Sequence, residues 1–171
     1  MQIIDGTLIS FDTTKVKINE LILEYFCEDN IQDVINNNNN EFIYGSLYDL
    51  QKTTKFKDMH SSLLNQISNH LNERNFYYQS IPSFRIHRIN RKVTNYHNDV
   101  MYGHGEKVIN VWLPLNDTNK NNSLFISDLK TSKMLLKKIE DLKLSLSQIN
   151  DLLKSNCSPK LVRYGQMLLF N

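Results

Sequence analysis

Cysteine is scarce in this chain, and the two present, Cys27 and Cys157, stand far apart. They show no metal-ligand spacing, and two thiols do not make a disulfide framework. They read as small buried or free thiols of a reducing compartment. Excess charge is missing as well. The formal net charge is +2, too small to imply a nucleic-acid or anionic-membrane partner. The locally basic run Arg85-x-His87-Arg88-x-x-Arg91-Lys92 reads as a solvated face or a strand edge. No apolar run approaches the ~20 residues needed to cross a bilayer. The opening stretch MQIIDGTLISFD has no basic start and carries Asp5, a poor match to a signal peptide. No internal repeat is visible. These absences predict a cytoplasmic protein with neither nucleic acid nor membrane as partner.

What is present is ordinary for a globular protein: 171 residues, 40% of them hydrophobic and 22% charged. That length predicts a single domain with a real core. Residues 1–78 read as mostly helical. Ile18, Leu21, Ile22, Tyr25 and Phe26 stand at helical spacing within residues 15–27. Phe56, Met59, Leu63, Ile67 and Leu71 do the same within residues 56–72. His60 and His70 on this second helix are ten positions apart, off one another's face, and read as ordinary helix residues. The run Asn36 to Asn40 reads as a polar loop.

The texture changes after residue 78. Apolar Phe84 and Ile86 alternate with polar Arg85 and His87, a strand pattern. KVINVWLPL (107–115) reads as a second strand. Val108, Asn110 and Trp112 share one face, and Ile109, Val111 and Leu113 share the other, which predicts burial on both sides. SLFIS is a third strand, after the turn-rich NDTNKNN. Residues 132–155 return to helix. Met134, Leu135, Ile139 and Leu142 fit one helix, and Ser145-x-x-Gln148 is a capping box opening another. KLVRYGQMLLFN reads as strand, glycine turn, strand.

The chemistry concentrates in YHNDVMYGHGEKVINVWLPL, residues 96–115. On a strand, residues i and i+2 point to one face, so His97 and Asp99 can reach one cation. A neutral imidazole and a carboxylate suit iron(II). One further histidine would complete a two-histidine, one-carboxylate triad that leaves coordination positions open. Alone the pair is weak, since five histidines and eleven aspartates give about 0.3 such pairs by chance. His104, flanked by Gly103 and Gly105, reads as a loop residue near the mouth of the site. Tyr96 or Asn98 are candidates to orient His97.

Context raises the pair above chance. The ordered blocks PSFRIHR, YHNDVMYGHG, INVWLPLND, NNSLFISDLKTSK and YGQMLLFN, over about residues 80–171, resemble the iron(II)- and 2-oxoglutarate-dependent dioxygenases of the phytanoyl-CoA hydroxylase type. The likeness is to the StrG-like branch associated with streptomycin biosynthesis. The resemblance implies a mainly β protein with flanking helices. Its core would be a double-stranded β-helix, a jelly-roll of cupin type, spanning residues 79–171 with a helical insertion at about 132–155. It implies iron(II) on His97 and Asp99, with 2-oxoglutarate as co-substrate. Trp112 falls where relatives line the 2-oxoglutarate pocket. Asn110 shares its face, and Arg85 facing inward would meet the keto acid. Tyr102, His104 and His87 are the expected substrate-side residues. The substrate is expected to be a small molecule, a saccharide or natural-product intermediate, hydroxylated as 2-oxoglutarate is decarboxylated to succinate.

In relatives a distal histidine and a carboxylate-clamping arginine follow the strand that YGQMLLFN matches. Neither follows within these 171 residues, which predicts a core incomplete at its C-terminus. A shortened gene product, a member that keeps the fold without the chemistry, or a site completed by another residue or a partner chain would each account for this. Two other functions stay open at this point. One is an inactive jelly-roll binding module. The other is a cupin-like metalloenzyme that does not use 2-oxoglutarate and draws a further ligand from His87 or His104.

Overall fold

The computed structural model describes residues 6–88, 94–97, 99, 103, 105 and 108–170. By internal contacts the chain divides into two compact units, residues 10–88 and residues 1–9 with 89–171.

The first unit is helical. Helix α1 (Ile18–Phe26) buries Ile18, Leu21 and Ile22 of the predicted stripe, leaves Phe26 half-buried and Tyr25 exposed, and stops at Cys27, where φ is 55°. Helices α2 (Ile31–Asn37) and α3 (Asn40–Leu50) follow. They take in Asn36, Asn37 and Asn40 of the run expected to be a loop and leave only Asn38 and Asn39 between them, and the reason is capping. A side-chain amide oxygen can accept the free N–H groups of a first helical turn. Asn30 does this for Asp33 N at 2.9 Å, and Asn39 does it for Phe42 N at 2.8 Å. Helix α4 (Thr54–Leu71) is capped by Thr53 and buries Phe56, Leu63 and Ile67. After α4 the chain runs extended. The alternation at 84–87 is real in burial, with Ile86 buried and Arg85 and His87 exposed, but no strand forms there. Gln51 anchors this segment by donating to Pro82 O, and Tyr44 accepts from Ile86 N at 3.3 Å.

The second unit holds two small antiparallel sheets. Strands β1 (Thr7–Ser10), β2 (Asn110–Trp112) and β5 (Gln166–Phe170) form one, in the order β1-β5-β2. Strands β3 (Leu124–Ile126) and β4 (Ser158–Lys160) form the other. Between them lie α5 (Leu129–Leu142), capped by Asp128, and α6 (Leu146–Lys154). The expected capping box is present: Gln148 N donates to Ser145 Oγ, and Ser145 N donates back to Gln148 Oε1 at 2.9 Å. A turn from Arg163 to Gln166, closed by Gln166 N on Arg163 O at 3.0 Å, leads into β5. Gly165 occupies its left-handed position at φ 91°.

Two further expectations are corrected. The mainly β jelly-roll does not form. Among the described residues helix takes 45% and strand 12%, and the strands make sheets of three and two, whereas a jelly-roll needs eight strands in two sheets. Second, β2 is not buried on both faces. It is an edge strand, and Val111 is 40% exposed. Double-sided burial belongs instead to the central strand β5, where Met167, Leu168 and Leu169 are all fully buried. A strand with neighbours on both edges and cover on both faces reads as a continuous apolar run, and QMLLF is that run. Among the described residues, no helix is long and apolar enough to cross a membrane.

Candidate metal centre

His97 and Asp99 are held from two sides, by the helical pair and by the edge of the three-stranded sheet. On one side, Tyr96 N donates to Asn150 Oδ1 of α6 at 3.3 Å. The Tyr96 ring packs against the cluster of Leu135, Ile149 and Leu153 that joins α5 to α6. Burial, with a smaller contribution from the nearby Cys157 thiol, pushes the Tyr96 phenol above its ordinary range. On the other side, Asn110 at the start of β2 donates from Nδ2 to Asp99 Oδ2 at 2.6 Å. β2 is itself held in register with β5, Asn110 opposite Phe170 and Trp112 opposite Leu168.

His97 Nε2 and Asp99 Oδ1 face each other across 3.5 Å, each side chain about one-third exposed. His97 Nδ1 lies 2.7 Å from Asn95 O. A carbonyl only accepts, so Nδ1 carries the hydrogen and Nε2 presents its lone pair in the neutral ring. A lone pair and a carboxylate oxygen then confront one another. A cation between them satisfies both acceptors, as does any donor that bridges them. With bonds of about 2.1 Å to nitrogen and oxygen, one metal ion can reach both atoms. The pair fits two ligands of a metal site. Among the described residues no third His, Cys, Asp or Glu joins them.

The other expected site residues are distributed as follows. Trp112 is half-buried on the same side of β2 as Asn110, opposite exposed Val111. Asn110 meets Asp99, a partner that strand alternation does not reveal. Arg85 and His87 are exposed and belong to the helical unit. Tyr102 and His104 lie outside the described residues, as does Asn98. Of the two candidates to orient His97, Tyr96 acts through its own anchoring on α6, while the ring's direct partner is the Asn95 carbonyl. The sequence carried no signal for Asn95 or Asn150.

A stretch of 53 residues, 30% of this chain, is 40% identical to the streptomycin biosynthesis protein StrG of Streptomyces griseus. It spans 27% of that protein's length, so the chain matches about a quarter of its curated relative. No family model matches the chain, and no solved structure does.

Proposed function

We propose that the chain carries the iron-binding segment of an iron(II)- and 2-oxoglutarate-dependent oxygenase that acts on a small molecule in a biosynthetic pathway. The observation that carries this reading is the His97 and Asp99 pair. The donor atoms face one another, the imidazole's hydrogen is committed to Asn95 O, and the second carboxylate oxygen is committed to Asn110. The partial likeness to a streptomycin biosynthesis protein supports the biosynthetic setting. Iron(II) with 2-oxoglutarate supplies oxidation of an unactivated C–H bond, chemistry no side chain here supplies alone. The chain's own part is to hold two ligands in place from α6 and β2 and to offer Trp112 as a wall beside the co-substrate. A third ligand comes from outside the pair.

The competing reading is a binding module without catalysis, in which a proton on Nε2 bridges the pair as a surface ion contact. The lack of a third ligand among the described residues favours it. Succinate release from 2-oxoglutarate, measured with added iron(II) under air in the full-length protein, separates the two. The oxygenase reading expects turnover in the wild type and none in His97→Ala or Asp99→Ala. Full-length protein that neither binds iron(II) nor releases succinate overturns it.

A further inference from the structure

Asn110 and Asp99 are eleven positions apart, and their contact ties Asp99 to a sheet edge. The amide takes Oδ2 at 2.6 Å and leaves Oδ1 turned toward His97 Nε2. A carboxylate oxygen that already accepts a short hydrogen bond is a poor second ligand to the same ion. We infer that Asn110 is a positioning residue that fixes Asp99 as a one-oxygen ligand and thereby sets which cation the site takes. This rests on the metal reading above.

The chemical consequence is selectivity. Calcium takes six to eight oxygens and often binds carboxylates through both. First-row transition ions accept an imidazole nitrogen with a single carboxylate oxygen. With Oδ2 withheld, the pair offers one nitrogen and one oxygen, which favours the transition ion. Without Asn110, Asp99 is free to rotate and chelate through both oxygens, so the discrimination against calcium shrinks. Outer partners of this kind commonly change metal affinity by about 10–100-fold. Asn110 is well placed for the role because β2 is pinned to β5 over Asn110 to Trp112, so its amide starts from a fixed backbone.

The test uses cobalt(II) as the probe, with binding to the full-length protein followed by calorimetry and visible absorption and with calcium(II) titrated separately. Wild type is expected to bind one cobalt(II), and His97→Ala none. Asn110→Leu keeps the side chain's size and removes the donor. It is expected to weaken cobalt(II) about 10–100-fold while calcium(II) affinity stays level or rises. Asn110→Gln, which keeps a donor, is expected to recover part of the loss. Asn110→Ser, too short to reach Oδ2, serves as the second donor-less variant should the leucine not fold. If a folded donor-less variant keeps the wild-type cobalt-to-calcium ratio, the role of Asn110 is overturned and the metal reading stands. If wild type binds no cobalt(II), or His97→Ala binds it equally, the metal reading fails and takes this inference with it.

Discussion

The backbone N–H of Tyr96 ends on the side-chain oxygen of Asn150, 54 positions later in the chain. The bond makes α6 a support for the residue that immediately precedes His97. Asn150→Ala leaves a partly buried N–H without this acceptor, at a cost of about 1 kcal/mol. The expected result is a modest drop in urea midpoint together with weaker cobalt(II) binding. Full cobalt(II) affinity in a folded Asn150→Ala protein would show that α6 does not steady the ligand segment.

Strand β5 is where the second unit is most sensitive. Leu168 is fully buried, whereas Val111 on the neighbouring edge strand, opposite Leu169, stands 40% exposed. Leu168→Ala is expected to cost about 2–5 kcal/mol, and Val111→Thr to stay within about 0.5 kcal/mol. Urea unfolding followed by circular dichroism measures both. Equal costs would contradict the central placement of β5.

Asn39 is expected to matter more than its neighbours in the asparagine run, because its side chain caps α3 through Phe42 N. Asn39→Ala should cost about 1 kcal/mol, and Asn39→Asp, an equally good cap, should cost little. A loop residue would show no difference between the two in thermal unfolding.

His60 gives the helical unit a pH dependence. Its ring lies 6.2 Å from Phe56 and 5.9 Å from Tyr78, centroid to centroid, and burial lowers its pKa from 6.5. In the unfolded chain it takes up a proton near 6.5, while in the folded chain it does so only at lower pH. Its contribution to stability is therefore whole above about 6.5 and declines as pH falls through that value toward the folded one. The urea midpoint should drop between pH 7.5 and pH 5, and drop less in His60→Phe. The same slope in both proteins would remove His60 as the cause.

Regular helices were the legible part of this sequence. The stripes of α1 and α4 and the Ser145 box all lie within a few residues of one another and need no distant partner. Helix α3 was hidden because Phe42, Tyr44 and Tyr48 point outward beside the buried stripe of Ile43, Leu47 and Leu50, which blurs the helical period. The run Asn36 to Asn40 was read by composition as a loop, although Asn38 donates to Val34 O at the end of α2 and Asn39 caps α3. Strands β2, β3 and β4 are three residues each, too short for alternation to establish a sheet. The jelly-roll came from blocks matched to a family in order, and motif order does not determine which strands pair. At the site, His97 and Asp99 were visible as a pair. Asn110, Asn95 and Asn150 were not assigned to them, because their contacts depend on tertiary placement or on backbone atoms.

The position of β5 also orders events during synthesis. Residues 10–88 are contiguous, so the helical unit has all its parts once residue 88 has left the ribosome. The three-stranded sheet takes β1 from residues 7–10 and its middle strand from residues 166–170. β1 emerges before the whole helical unit, yet it can pair only after β5 has been translated. While it waits, its unpaired edge is open to the wrong neighbours.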